Sequence, residues 1–329
     1  MRSDGEKCFG ITLPNRAIRA ILGSGKRRED RAMKEAELLF TRLVTPEKVL
    51  ALFEELGVEL NGKIAVKVHS GEAGNQNFLR PLFWKPVVER LGGTVVECNT
   101  AYPGQRNETA KHYKLLDAHG WSRLFPVDIL DGEGPDALLP VRPGSCHLKH
   151  DIVGKHLQNY DSLLVLSHFK GHPMGGFGGA IKQLSIGCAS TAGKLNIHSA
   201  GKYTRAEDQN VIWGDLPPQD AFLESMAEAA CAVADFFQGR VVYVNVLANM
   251  SVDCDCCAVA EDPCLKDIGI LAGTDPVAID RASLDLVKAS GDPGVPHFMK
   301  RVTSRNGEHT LCAAEALGLG TQRYVLAER

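Results

Sequence analysis

Apolar residues along the chain fall into short runs that alternate with longer amphipathic stretches. The strand-length runs each end in a polar or glycine-containing loop and lie at 63–69, 94–100, 125–132, 161–167, 240–249 and the first residues of 267–287. Segments with the apolar spacing of a helix lie between them, at 78–93, 109–120, 180–186 and 219–237. This alternation predicts an α/β fold of three layers, in which a mostly parallel sheet carries helices on both faces. The same pattern is compatible with two Rossmann-like subdomains.

The domain organisation is predicted from the same pattern. Residues 1–60 are amphipathic and rich in charge, and we expect a helical N-terminal segment there. Residues 61–212 are expected to form an α/β core that contains a glycine-rich loop. The proline turn WGDLPP at 213–218 then introduces a second α/β part, which extends over 213–329.

Composition and charge restrict the classes of partner. The chain has 329 residues, with 37 basic and 40 acidic side chains and a net charge of −3, so nothing favours a nucleic-acid binder. No apolar run approaches the roughly 20 residues that cross a bilayer, and we expect no membrane association. The first residues, MRSDGEKCFG, carry charges where a signal peptide needs an apolar core. We therefore expect a cytoplasmic protein.

Four of the ten cysteines lie within eleven residues, CDCCAVAEDPC, at Cys254, Cys256, Cys257 and Cys264. Clustered cysteines without an export signal indicate a metal site before a disulfide framework. The nearby carboxylates would raise the pKa of free thiols, a conflict that a bound cation removes. The spacing is neither that of paired CxxC zinc sites nor that of ferredoxins. The cofactor is therefore left open between an iron–sulfur cluster and a single ion of iron, zinc or nickel.

A glycine-rich segment with several histidines and lysines lies at 168–199, HFKGHPMGGFGGAIKQLSIGCASTAGKLNIHS. It follows a predicted strand and leads into a predicted helix, an arrangement that presents backbone N–H groups to an anion. We predict that the segment binds a small anionic molecule, with ligand-binding residues Gly175, Gly176, Gly178, Gly179, His168 and, from another strand-end loop, Arg106. The candidate catalytic residues are His172, Lys182 and His198, because imidazole and amine groups at a strand end can move protons or act on a ligand.

Four stretches carry a resemblance to a known family: VKVHSGEAGN at 66–75, DAHGW at 117–121, residues 166–199 and residues 254–287. The chain resembles a bacterial and archaeal family of uncharacterised iron–sulfur-centre proteins, a domain of unknown function that is often fused to a ferredoxin module. The resemblance implies an iron–sulfur centre, and with such a centre we expect a redox partner protein. It implies no particular reaction.

The glycine-rich segment also resembles the central motif of nickel-pincer lactate racemases. His172, Lys182 and His198 stand in the same order and at similar separations, which implies that Lys182 anchors a cofactor and that the histidines bind metal or move a proton. Arg106 would hold a substrate carboxylate.

Three functions remain open at this point. The first is a metal- or iron–sulfur-binding redox protein whose glycine-rich loop binds an anionic small molecule. The second is a metal-cofactor enzyme of racemase or oxidoreductase type that acts on a small hydroxy acid. The third is a structural zinc protein without catalysis. Whether the protein is an enzyme is therefore undecided from the sequence.

Overall fold

The computed structural model describes residues 35–329, in which strands and helices alternate. The strands are β1 (Ala36–Thr41), β2 (Ile64–Lys67), β3 (Thr94–Glu97), β4 (Val127–Ile129), β5 (Ala137–Pro140), β6 (His150–Val153), β7 (Ser162–His168), β8 (Lys170–His172), β9 (Gly176–Gly178), β10 (Val241–Leu247), β11 (Gly269–Gly273) and β12 (Tyr324–Glu328). The α-helices are α1 (Pro46–Glu55), α2 (Pro81–Leu91), α3 (Thr109–Ala118), α4 (Trp121–Leu124), α5 (Ala180–Cys188), α6 (Thr191–His198), α7 (Gln219–Phe236), α8 (Pro276–Ala289), α9 (Val295–Ser304) and α10 (His309–Ala316).

Eight strands form the central sheet, in the order β12-β1-β11-β10-β7-β2-β3-β4. The run from β10 to β4 is parallel throughout, as is the β12–β1 pair, whereas β11 pairs antiparallel with both of its neighbours. The predicted α/β fold with a mostly parallel sheet and flanking helices is confirmed. None of the helices between residues 35 and 329 combines the length and apolar character of a membrane span.

Alternate residues of the central strand β7 belong to two different hydrophobic cores. Leu163 and Val165 pack with residues of α5, α7 and α8, whereas Leu164 and Leu166 pack with residues of α1 and α2. All seven residues of β7 are buried. A strand that is covered on both faces needs apolar side chains on both, which explains its continuous apolar run.

The prediction of a helical segment over 1–60 is wrong at Ala36–Thr41, which forms strand β1. This strand is paired on both sides, with β12 and with β11, so long-range pairing overrides the local amphipathic pattern. A helix is present at Pro46–Glu55, and residues 1–34 lie outside the described part of the chain. Strands from both sides of residue 213 join the same sheet. The domain boundaries remain a prediction.

Helix α8 shows how the local sequence sets an element boundary. Its sequence begins with Asp275 and Pro276, and the Asp275 carboxylate accepts the backbone N–H groups of Val277 and Ala278, both at 2.9 Å. Proline fits the first turn because it lacks an N–H that would be left unpaired there. The predicted transition from strand to helix in this segment is confirmed.

Candidate metal centre

A cleft lies over the carboxyl ends of the parallel strands, where the loops after β2, β3, β7 and β10 meet. Its cavity of about 70 Å³ is lined by residues from each of these loops, including His69 after β2, Arg106 after β3, His172 after β7 and Cys256 after β10. Ligands of open α/β sheets bind at this edge. The predicted ligand-binding residue Arg106, the glycine-rich segment and the cysteine cluster therefore contribute residues to the same cavity.

Two thiols and one imidazole come together at the cleft, which His172 and Cys256 line and behind which Cys254 is buried. The ligand atoms of His172, Cys254 and Cys256 all lie within 4.8 Å of one another, so these side chains could hold a metal ion. The neighbouring Cys257 is not part of this group. Cys264 lies outside the group, where its thiol donates to a backbone carbonyl at 3.5 Å. The full set of four cysteine ligands therefore stays a prediction.

Asp255, between the two cysteines of this group, anchors the turn that carries them. Its carboxylate is buried and accepts from Lys170 Nζ at 2.9 Å and from His168 Nδ1 at 3.0 Å. The second ring nitrogen of His168 donates to the Ala248 carbonyl at 2.7 Å. The structure therefore corrects the expected ligand-binding role of His168, because both of its ring nitrogens are engaged within the protein and the ring does not line the cleft.

The charges around the group favour the protonation states that metal binding requires. Burial lowers the pKa of His172 to about 4, so its ring is neutral at neutral pH. The hydrogen bond from Cys256 holds the pKa of the Cys254 thiol well below its usual range, against the opposing effect of burial. The nearby ammonium groups of Lys182 and Lys170 lower that pKa further, and Lys182 Nζ lies 3.7 Å from the Cys254 sulfur. Thiolate and neutral imidazole are the forms that bind metal.

Two imidazole rings are oriented toward the Cys254 sulfur. Nδ1 of His172 accepts the backbone N–H of Gly175 at 2.8 Å, and Nδ1 of His69 accepts that of Gly71 at 3.1 Å. The hydrogen of each neutral ring is therefore assigned to Nε2. For Nε2 of His172 to bind a metal, this hydrogen has to move to Nδ1, and the contact of Nδ1 with the Gly175 N–H has to open. His69 was not predicted as a site residue, and its one sequence signal was its position at the end of a predicted strand.

Arg106, predicted to bind a ligand, lines the cleft but is already paired with the protein's own carboxylates. Its Nε lies 3.2 Å from Glu72, and its Nη1 lies 3.9 Å from Glu97. Its Nη2 donates to the Tyr102 hydroxyl at 2.9 Å. Arg106 therefore contributes positive charge to the cleft, but its guanidinium is not free to grip a ligand carboxylate in a two-point contact.

Lys182 and Lys194 also line the cleft, and neither has a carboxylate partner within 4 Å among residues 35–329. Lys182 faces the Cys254 sulfur, and the Nζ of Lys194 donates to the Ala189 carbonyl at 2.5 Å. Lys194 was not predicted as a site residue, because its surroundings depend on how α6 packs. These two ammonium groups are the described cations best placed to attract an anion.

The start of α5 does not offer the predicted anion site. Its first two backbone N–H groups, of Ala180 and Ile181, donate to the buried Asp280 carboxylate at 2.7 and 3.0 Å. The expectation that these N–H groups bind the ligand is wrong, because the Asp280 side chain from α8 already accepts them. Only the tertiary packing of α8 against α5 brings that carboxylate to the helix start. Anion binding by the rest of the glycine-rich segment stays a prediction.

The four glycines predicted to bind a ligand divide into two pairs. Gly178 and Gly179 line the cleft, whereas Gly175 and Gly176 do not. Gly176 has a φ of +81°, and a Cβ there would lie 2.9 Å from the Cα of Gly307. For Gly176 a turn and a close backbone approach explain the glycine, and no ligand contact is needed.

His198, a predicted catalytic residue, lines the cleft but does not belong to the Cys/His group. Its Nδ1 donates to the Lys194 carbonyl at 2.6 Å. Its ring stacks on Phe222 with centroids 4.9 Å apart and meets the edge of Trp213 at 5.8 Å. Burial lowers the pKa of His198 to about 3, so the ring is neutral at neutral pH.

The model of a family described as "Domain of unknown function (DUF362)" matches residues 64–285, about two thirds of the chain. The chain belongs to this family. The expected domain of unknown function is therefore confirmed, whereas the iron–sulfur centre stays a prediction. No curated protein matches the sequence.

Two solved structures are similar to this DUF362 protein. One is the lactate racemase apoprotein from Thermoanaerobacterium thermosaccharolyticum, at 11% identity and a TM-score of 0.43 over 72% of this chain and 54% of that one. The other is a protein from Thermotoga maritima, at 12% identity and a TM-score of 0.43 over 79% of this chain and 58% of that one. The DUF362 chain spans little more than half of their length. Its function therefore has to be argued from its own residues.

Proposed function

We propose that this DUF362 protein binds a single transition-metal ion through Cys254, Cys256 and His172, beside a cationic cleft that takes a small anionic molecule. The observation that carries the proposal is the convergence of these three ligand atoms within 4.8 Å, with His172 and Cys256 lining the cleft. Two thiolates and an imidazole suit iron, zinc or nickel better than a hard cation such as magnesium.

The donor set favours one ion over an iron–sulfur cluster. Such clusters are held by four cysteine thiolates in their usual form, and Cys264 lies outside the group. A structural zinc site is closed by four protein ligands, whereas this group faces a cleft and leaves room beside it. An ion held there by His172, Cys254 and Cys256 would supply Lewis acidity toward an oxygen of a bound molecule.

The chain's own side chains have separate tasks in this proposal. Lys182 and Lys194 attract the anion. Asp255, fixed by Lys170 and His168, holds the turn that carries the two cysteines. The cleft is small and partly apolar in its lining, which strengthens electrostatic contacts with a bound anion. This combination supports an enzyme of metal-cofactor type more than a purely structural site.

Metal titration of the reduced, oxygen-free protein tests the proposal. We expect about one equivalent of bound metal by calorimetry and elemental analysis, and a loss of at least tenfold in affinity in Cys254→Ser and Cys256→Ser. Cys146→Ser is the matched control, because Cys146 is exposed and its thiol contacts only a nearby loop carbonyl among the described residues. Cys264→Ser should behave like this control.

Two results would overturn the single-ion proposal. One is an unchanged metal affinity in both Cys254→Ser and Cys256→Ser. The other is a content of several irons with acid-labile sulfide that depends on Cys264, which would restore the iron–sulfur cluster.

A second function is favoured by the groups beside Cys254. His172 and the ammonium of Lys182 lie close to the Cys254 sulfur, and Lys182 lowers the pKa of this thiol, which favours a nucleophilic thiolate. In that case metal-free Cys254, although buried, should be alkylated by iodoacetamide at pH 6 faster than the exposed Cys146. Peptide mapping by mass spectrometry measures both rates, and equal rates would exclude this function.

A further inference from the structure

Among the described residues that line the cleft, Lys194 is the cation without an anionic group in direct contact. Lys67 Nζ lies 2.6 Å from Glu97, and Lys170 and Arg106 are paired with Asp255 and Glu72. Lys182 faces the thiolate of Cys254. Lys194 has no carboxylate within 4 Å among residues 35–329, and its ammonium is buried in the cleft wall. The carboxylates of Asp136 and Asp151 act on Lys194 from beyond 4 Å, so a negative charge in the cleft would be its direct partner.

The backbone N–H groups that would usually bind phosphate already have partners within the protein. The first N–H groups of α5 donate to Asp280. At the start of α6, the N–H of Thr191 donates to Asp131 at 3.0 Å, and the N–H of Gly193 donates to the Ser190 hydroxyl at 3.2 Å. Phosphate recognition relies on such N–H groups or on a guanidinium fork. A carboxylate needs fewer donors than a phosphate, and one ammonium group can pair with it.

The side of the cleft near Lys194 is aromatic. His198, one turn after Lys194 on α6, stacks on Phe222 and meets the edge of Trp213. Trp213 is 38% exposed although the other tryptophans, Trp84 and Trp121, are buried. An indole that lines a cavity and remains partly uncovered offers a face to a flat apolar group.

We propose that the cleft binds a small monocarboxylate with a flat apolar body, with the carboxylate on Lys194 and the body against Trp213. The proposal rests on the anion-binding part of the proposed function and names the class of that anion. It does not require the metal, because Lys194, His198 and Trp213 lie outside the Cys/His group.

Trp213 provides the measurement, because it is the partly exposed tryptophan in the cleft. We would titrate metal-free protein with phenylacetate and follow tryptophan emission, with calorimetry as the second readout. The expected result is saturable quenching by phenylacetate. Affinity should be at least about tenfold weaker for 2-phenylethanol, which lacks the charge, and for acetate, which lacks the ring. Inorganic phosphate should bind more weakly than phenylacetate.

Substitutions inside and outside the cleft test whether the ligand binds there. Lys194→Met should weaken phenylacetate at least about tenfold, whereas Lys155→Met, at an exposed lysine outside the cleft, should leave its affinity unchanged. Trp213→Phe should abolish the quenching signal. If Lys194→Met does not fold, the comparison of phenylacetate with 2-phenylethanol on the unmodified protein still tests the charge.

The outcomes separate this inference from the metal proposal. Phenylacetate binding that persists in Cys254→Ser, with metal binding lost, supports both. Phenylacetate binding without any metal binding supports the carboxylate site and overturns the metal proposal. Metal binding without phenylacetate binding, equal affinity for 2-phenylethanol, or tighter binding of phosphate overturns the carboxylate site.

Discussion

Replacing Asp255 with asparagine removes one negative charge from the buried turn that carries the cysteines, while the side-chain volume is kept. Asp255 and Lys170 expose 1% and 4% of their side chains, so solvent cannot compensate for the lost charge. Burial alone would raise the pKa of Asp255, but the charges of His168 and Lys170 outweigh burial and hold that pKa well below its usual range. The carboxylate is therefore ionised and balances buried cations.

The distance between Asp255 and Lys170 gives the expected size of the loss in stability. At the 2.9 Å that separates Lys170 Nζ from the carboxylate, Coulomb's law with an effective dielectric constant of about 20 gives an attraction of about 6 kcal/mol. The desolvation of both charges offsets part of this attraction. Removing one partner of a buried pair costs about 3–5 kcal/mol, so we expect Asp255→Asn to lower the free energy of unfolding by about 4 kcal/mol.

Equilibrium unfolding in urea at pH 7 measures this loss as a lower midpoint with an unchanged slope. Lys170→Met in the Asp255→Asn background should restore part of the stability, with a coupling energy of at least about 2 kcal/mol in the double-mutant cycle. Metal affinity should fall about 10- to 100-fold in Asp255→Asn, because the turn loses its anchor. A loss of stability below about 1 kcal/mol, or additive single effects, would refute this account of the buried charges.

Three further predictions follow from buried groups. Burial lowers the pKa of His112 and of His198 to about 3, so the unfolded chain takes up protons first and stability should fall from pH 6.5 toward pH 3. Thermal melts should detect a loss of about 2 kcal/mol in the free energy of unfolding per histidine at pH 5 relative to pH 7. Equal melting temperatures at the two pH values would contradict this prediction. Asp280→Ala leaves three buried donors without their acceptor and should lower the free energy of unfolding in urea by about 2–5 kcal/mol. A loss below about 1 kcal/mol would contradict this role of Asp280 at the start of α5. Gly171→Ala would place a Cβ 2.3 Å from the Val252 carbonyl, next to the cysteine turn, and should weaken metal binding in calorimetry; an unchanged affinity would argue against this coupling.

The sequence by itself determined the fold class and the edge of the sheet where the site lies. The run at 161–167 is apolar at every position except its ends, and such a run suits a strand covered on both faces, as β7 is. The polar and glycine-containing loops after the predicted strands indicated the carboxyl-end edge, because parallel strands end on the same side. The clustered cysteines indicated a metal site, and two of them meet a histidine in the structure.

The tertiary structure decided which of these groups meet. The N-terminal strand β1 could not be predicted, because its amphipathic pattern fits a helix equally well and its pairing partners lie more than 200 residues away. The helix start at α5 looked like an anion site until packing brought Asp280 to it. His168 looked like a ligand-binding residue until it met Asp255, 87 positions later in the chain. Local sequence sets backbone preference, whereas the charges and hydrogen bonds that define a buried site come from segments that only the folded chain brings into contact.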